Sequence, residues 1–261
     1  RFPAVRLPVA KYHDPDPSAP DKTSGRRAAV IDGFEFDWAG FRIPRATVEA
    51  TDVAQWLALD VAAKALADAG YDRESVPRER TGGILGNTLT GEHTRATAMR
   101  TRCPFVERAL DVAAAAVELP EARRLPLARA MEAAFKSAFA PVTEDTLAGG
   151  LSNTIAGRIC NYFDLHGGGY TVDGACASSL LAVCTAASRL ASGDLDLALA
   201  GGVDVSLDTF ELIGFAKTGA LTRDEMRVYD RLARGFIPGD WRACVVLRRL
   251  GAALAPGDPI Y

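Results

Sequence analysis

The chain has 261 residues, long enough for one large domain or two small ones with an ample core. Hydrophobic residues at 48% and charged residues at 24% are the balance of a soluble globular protein, and the net charge of −3 gives no reason to expect nucleic acid or an anionic membrane as partner. No uncharged run is long enough to span a bilayer, and no secretory signal is visible. Five cysteines (Cys103, Cys160, Cys176, Cys184 and Cys244) form no C-x-x-C pair. Zinc and thioredoxin-like chemistry therefore lack support, and reduced thiols in the cytoplasm are expected. The sequence opens on Arg1 rather than Met, which suggests a piece of a longer protein.

Residues 1–30 are rich in proline and charge, as in Asp14-Pro15-Asp16-Pro17-Ser18-Ala19-Pro20-Asp21, and predict an extended surface segment, either a linker or a loop packed on the domain. Ala28 to Phe36 reads as a short strand or hairpin turning near Asp32-Gly33. Thr51 or Asp52 should cap a helix, with Gln55 completing a capping box. Its apolar face is Val53, Trp56, Leu57, Val61 and Leu66, and Gly70 ends it. Thr81 to Leu85 is a buried strand leading to Gly86-Asn87. Residues 92–140 predict two or three amphipathic helices broken at Pro104, Pro120 and Pro126.

The stretch from Gly167 to Leu181 organises the chain. Tyr170, Thr171 and Val172 favour a strand, and Gly174-Ala175 make a tight passage. A helical pattern follows, with Leu180, Leu181, Val183, Cys184, Ala187 and Leu190 as its apolar face and Gly193 as its stop. Cys176 thus sits where a strand turns into a helix. Free amide N–H groups at a helix N-terminus favour negative charge, and the thiolate is the nucleophilic form of cysteine. The Cys176 N–H is also placed to help hold an oxyanion. On the residues alone two readings stand: an acyl-accepting nucleophile, or a cysteine that fills a core. Downstream, Ala243 to Leu247 reads as a strand.

Thr171-Val172-Asp173-Gly174-Ala175-Cys176-Ala177-Ser178-Ser179-Leu180 resembles the active-site segment of β-ketoacyl synthases, the condensing enzymes of polyketide and fatty-acid assembly. Gly193 to Val203, Phe215-Ala216-Lys217-Thr218-Gly219-Ala220-Leu221-Thr222, Tyr229-Asp230 and Gly235-Phe236 continue the similarity in order. Upstream, Trp56 to Tyr71 is similar to the helix that precedes the family's third strand, and Asn153 to Phe163 resembles the helix that leads into its active-site strand; downstream, Gly193 to Val203 resembles the strand that follows. The likeness is nearest to iterative type I synthases of the enediyne and polyunsaturated-fatty-acid kind. It implies an α/β thiolase-like layered fold, a mixed sheet with helices on both faces. Residues 31–261 would be the N-terminal part of such a domain, with a helical insertion at about 92–140. The family's leading apolar strand is not seen ahead of the proline-rich loop.

The resemblance implies that Cys176 accepts an acyl chain as a thioester from the phosphopantetheine arm of an acyl carrier protein. A malonyl thioester is then decarboxylated and its carbanion attacks that thioester. No bound cofactor or metal is expected, and a homodimer is implied through the counterparts of Gly169 to Asp173. The second half-reaction uses two histidines that follow the cysteine in family order, whereas His13, His93 and His166 all precede it. Where the family carries Gly-Glu-Gly-Cys/Ala-Gly, this chain has Gly239-Asp240-Trp241-Arg242-Ala243. Trp241 and Arg242 are therefore expected to narrow or reshape the pocket. Two other classes remain: a cysteine acyltransferase or hydrolase, and a non-catalytic partner, whose relatives usually replace the cysteine. His166-Gly167-Gly168-Gly169 mimics an esterase oxyanion motif, but no G-x-S-x-G elbow follows, so His166 reads as structural. Gly201-Gly202 lacks nucleotide-binding context. Glu92, His93 and Asp145 read as solvated surface, Lys217 gains no role from the resemblance, and Ser178 and Ser179 read as caps.

Overall fold

The computed structural model describes residues 8–223, 225–254 and 257–261. In chain order these form α1 (Val9–Tyr12), α2 (Arg45–Glu49), α3 (Val53–Asp68), β1 (Thr81–Gly86), α4 (Glu92–Thr101), α5 (Cys103–Ala116), α6 (Glu121–Ser137), α7 (Glu144–Gly150), α8 (Asn153–Phe163), β2 (Gly169–Val172), a 3₁₀ turn (Ala175–Ala177), α9 (Ser178–Ala191), β3 (Leu197–Asp204), α10 (Thr209–Lys217), β4 (Trp241–Arg248) and α11 (Leu250–Leu254). The sheet order is β2-β1-β3-β4, with β1 parallel to both β2 and β3 and β4 antiparallel to β3. β1 and β3 are hydrophobic on both faces, as strands covered by helices on each side must be.

Alternation along β1 and β3 divides the core. Leu85, Leu197, Leu199 and Val203 face α3 and α8, where they meet Trp56, Leu59, Ile155 and Ile159. Ile84, Ala198 and Ala200 face α9, packing on Ala182, Ala186 and Leu190. The mixed sheet with helices on both faces is the architecture that the resemblance implied. Asp52 caps α3 through its side chain, accepting from Ala54 N–H at 2.9 Å, and Gly70 closes it at φ +82°.

Several local expectations are corrected. Gln55 makes no capping box: its amide donates to Ala148 O, Gly149 O and Thr154 Oγ1, and its carbonyl accepts from Arg158. A buried glutamine is thereby satisfied by tertiary partners rather than by its own helix start. Val53 is exposed and Val61 half-buried, because the buried side of α3 is the one carrying Ala54, Ala58, Leu59 and Ala62. Residues 28–36 form no strand. One parallel bridge joins Ala29 to Gly239, and the apolar residues act singly as anchors, with Phe36 stacked on Trp56 at 4.8 Å. Pro104 and Pro120 mark helix starts as expected, but Pro126 lies inside α6.

In α9 the predicted apolar face divides: Leu190 is buried and Val183 half-buried, whereas Leu180, Leu181 and Cys184 are exposed. Towards its start small residues (Ser178, Ala182, Ala186) take the buried face because the helix lies close against β1 and β3. The proline-rich segment is a packed loop from residue 8 onward rather than a linker. Tyr12 and Ala28 pack beside Leu207, Leu212 and Leu221, and Lys217 Nζ donates to the carbonyls of Pro17 and Ala19. Residues 1–7, where a leading strand would adjoin, lie outside the described residues.

Candidate active site

Cys176 lies in the 3₁₀ turn between β2 and α9, at the C-terminal edge of the parallel strands, where open α/β sheets place their ligands. Its thiol is exposed. Cys176 does not fill a core, and α9 begins two residues beyond it, at Ser178. A cavity of about 170 Å³ opens beside it, walled by the ends of β1 (Gly86, Asn87) and β3 (Gly202, Val203, Asp204) and by Trp241.

The turn is held by its own polar groups. Gly174 N–H donates to Ser178 Oγ at 3.0 Å, and Ser178 Oγ donates to Ala175 O at 2.6 Å. Asp173 Oδ1 accepts from Ala175 N–H and from Thr88 Oγ1, both at 2.9 Å. These bonds secure Ala175 at φ +50°, a left-handed conformation that disfavours a residue with a Cβ by roughly 1–2 kcal/mol. The strain projects the next residue, Cys176, out of the sheet edge. Ser178 is therefore a brace for the turn that carries Cys176, as its reading as a cap anticipated in part.

Two glycines seat that turn. A Cβ on Gly86 would stand 2.5 Å from the Ser178 carbonyl carbon and 2.6 Å from Ser179 N. One on Gly202 would meet Gly86 O and Ser179 Cβ, both at 3.1 Å. Their role lies in letting the start of α9 sit directly over the strand ends, which explains Gly202 without a nucleotide, while Gly201 is required by the close approach of the Ala243 backbone in β4. Asn87 is buried and fully used: Nδ2 donates to Val203 O at 3.0 Å, and Oδ1 accepts from Thr90 N–H and Ser152 Oγ. It ties the ends of β1 and β3 to the start of α8. Sequence reasoning marks Gly86-Asn87 only as a strand end; a glycine followed by an amide there is the available signal.

Trp241 and Arg242 part company. Trp241 pairs in register with Asp204 and lines the cavity, so it does shape the space by the thiol. Arg242 faces the other side of the sheet, pairing with Asp60 at 3.3 Å and lying over the Phe34 ring at 4.7 Å. It does not narrow the approach to Cys176, because successive strand residues point to opposite faces.

The titratable candidates lie elsewhere. His166 sits ahead of β2, at the opposite end of the parallel strands, between Glu79 at 3.0 Å and Asp164 at 3.2 Å. Its hydrogen bond to Asp164 and the charge of Glu79 push its pKa upward, which suits a surface ion pair. His13 is bonded to Arg26, and Lys217 binds loop carbonyls. Glu92 is exposed, and His93 and Asp145 are half-buried away from the cavity lining. Among the described residues that line the cavity there is no histidine, lysine or arginine. What the arrangement offers is one accessible thiol on a braced turn.

Comparison with known proteins gives one answer. The model of the family "Beta-ketoacyl synthase, N-terminal domain" matches residues 1–120 and 127–253. The chain is 31% identical over 261 residues to a polyunsaturated fatty acid synthase of Thraustochytrium sp., a match covering 100% of this chain and 9% of that protein. It is 30% identical over 263 residues to the phthioceranic/hydroxyphthioceranic acid synthase of Mycobacterium tuberculosis, covering 99% of this chain and 10% of the relative. Among solved structures, the oxazolomycin ketosynthase domain of Streptomyces albus JA3453 superposes with a TM-score of 0.75 at 25% identity, over 99% of this chain and 38% of that one. The ketosynthase from module 6 of the bacillaene synthase of Bacillus subtilis 168 gives 0.69 at 25% identity, over 100% and 36%. The chain thus spans about a tenth of the curated relatives and under two-fifths of the solved ketosynthases.

Proposed function

The chain belongs to the β-ketoacyl synthase family, as its N-terminal domain, and from that premise we propose that it carries the acyl-accepting half of a decarboxylative condensation in polyketide or fatty-acid assembly. The observation that carries this reading is the exposed thiol of Cys176 on a braced turn at the C-terminal edge of the sheet. The Cys176 sulfur attacks the carbonyl carbon of a thioester on a phosphopantetheine arm. A tetrahedral oxyanion forms, the pantetheine thiolate leaves, and the acyl group remains on Cys176. Carbon–carbon bond formation follows when a malonyl thioester loses carbon dioxide and its carbanion attacks the new thioester. The similarity to a polyunsaturated fatty acid synthase favours an iterative type I setting.

The partners are then an acyl carrier protein and acyl and malonyl thioesters, with no resident cofactor and a cytoplasmic location. A homodimer is supported by β2, which among the described residues pairs only with β1 and leaves its other edge free, and by the outward Leu180 and Leu181 on the adjoining α9. An isologous pairing would bury both at once. A monomer in sedimentation of the complete protein at micromolar concentration would refute the dimer. A hydrolase is disfavoured because no described residue of the cavity lining is a histidine that could activate water. Incubation with acyl-carrier or acyl-coenzyme A donors and intact-mass analysis tests the main reading. Stable acylation at Cys176, lost in Cys176→Ala, is expected; turnover without an adduct would indicate a hydrolase, and no adduct an inert partner.

A further inference from the structure

The cavity beside Cys176 carries one carboxylate in its lining, Asp204, and no cationic side chain among its described residues. Asp204 is exposed at the end of β3, yet it is held in place. Ser206 donates to Asp204 Oδ1 twice, from its N–H at 2.9 Å and from its hydroxyl at 2.6 Å. Ser206 itself is buried, and its carbonyl accepts from Arg95 Nη1 at 2.6 Å. Behind it stand Glu211, whose oxygens lie 3.0 and 3.1 Å from the Ser206 hydroxyl, and Asp208, which pairs with Arg95 at 2.5 Å. Arg95 is thus engaged on the far side of the group and turned to Asp208. With Oδ1 committed to Ser206, the carboxylate of Asp204 is fixed at the cavity it lines. Asp173, fixed by Thr88 and Ala175 on the same turn as the thiol, adds a second negative charge nearby.

We propose that Asp204 is a specificity-determining residue that admits neutral acyl groups to Cys176 and turns away acyl groups bearing a free carboxylate. The acyl part rests on the function proposed above; the charge part does not. A condensing site gains from this division, since the acyl group on the cysteine must be the neutral acceptor while the carboxylated unit stays on its carrier to lose carbon dioxide. Glu211 and Ser206 serve as positioning residues. One hydroxyl has one proton to give, and Ser206 gives it to Asp204 in the shorter contact. The Ser206 hydroxyl lies between the two side chains, 2.6 Å from Asp204 Oδ1 and 3.0 Å from Glu211 Oε1.

The test uses two alkylating agents with the same leaving group, neutral iodoacetamide and anionic iodoacetate, on the full chain, with modification of Cys176 followed by peptide mapping. At low salt the rate ratio of neutral to anionic reagent at Cys176 is expected to fall by about three- to tenfold in Asp204→Asn, the size of bias a partly solvated like charge gives. Asp204→Glu should keep the wild-type ratio. Independently of any variant, raising the salt to about 0.5 M should compress the wild-type ratio by screening. A ratio that neither Asp204→Asn nor salt changes by as much as twofold overturns the proposal. Acetyl and malonyl coenzyme A then serve as acyl donors, and Asp204→Asn is expected to raise malonyl adduct at Cys176 relative to acetyl. Equal proportions in both proteins would overturn the acyl part. No adduct from either donor, with the alkylation shift present, would support the charge role of Asp204 and count against the synthase reading instead.

Discussion

At the scale of single residues, the five thiols are sorted by their surroundings. Burial pushes the pKa of Cys103 and Cys160 upward and that of Cys244 up to about 12, so these three hold little thiolate near neutral pH. Cys176 and Cys184 are the exposed pair, and of these only Cys176 adjoins a cavity at a helix start. Limited iodoacetamide labelling of the folded protein, followed by peptide mapping, should therefore mark Cys176 first and Cys184 second. Faster labelling of Cys103 or Cys244 would remove the ground for treating Cys176 as the nucleophile. Glu211 gives a second expectation. Burial raises its carboxyl pKa, so the folded state holds that proton more tightly than the unfolded chain does. The corresponding stability is fully present below the unfolded carboxyl value and is lost as pH rises through the higher folded value. Glu211→Gln keeps a neutral hydrogen-bonding group and removes the titration. Denaturant midpoints should show the glutamine variant gaining on the wild type as pH rises above the ordinary carboxylate range; a constant difference throughout would show that Glu211 does not titrate with folding.

At the scale of elements, the site depends on how closely α9 can approach the strand ends, and Gly86 sets that distance. Gly86→Ala would place a methyl 2.5 Å from the backbone of Ser178, so the turn or the strand has to shift. Overpacking of this kind costs about 1–3 kcal/mol, and the displaced turn should slow modification of Cys176 more than that of Cys184. Unchanged stability and unchanged Cys176 labelling would show that the turn is not seated on Gly86. The same packing explains what can be read from residues alone. β1 and the strand-to-turn passage are legible because their apolar runs are local and end in glycine, whereas β3 and α8 are legible through the family resemblance. The outward face of α9 is not, because Leu180, Leu181 and Cys184 recur at helical spacing like any core stripe, whereas the face against the sheet takes Ser178, Ala182 and Ala186 and admits a large side chain only at Leu190. Hydrophobicity marks an apolar face, and only tertiary distance decides which face the sheet can accept. The Gln55 bonds to residues about a hundred positions away, and Ser206 bridging Asp204 and Glu211, have no sequence signal of that kind.

At the scale of the whole molecule, the two half-reactions separate. Acyl transfer to Cys176 requires a thiol, room for a thioester carbonyl and donors for one oxyanion, and the residues around Cys176 supply the thiol and the space. Decarboxylation builds negative charge on a second thioester oxygen, which needs its own preorganised donors. Loss of one such donor typically lowers a rate by about 10²–10³. The family's histidines for this step follow the cysteine, and no histidine stands after Cys176 in these 261 residues. His166 cannot serve in their place: it precedes β2 and lies beyond the start of β1, whose six residues span about 20 Å of strand between it and the thiol edge. The 261-residue polypeptide by itself is therefore expected to take up an acyl group at Cys176 and to stop there. Mixed with acyl and malonyl carrier proteins, it should give a mass shift at Cys176 with neither carbon dioxide release nor β-keto product above background. Condensation at a rate comparable to an intact synthase would mean that this chain holds a base and an oxyanion site other than the histidines, and Asn87, Thr88 and Asp204 on the cavity wall would then be the groups to replace first.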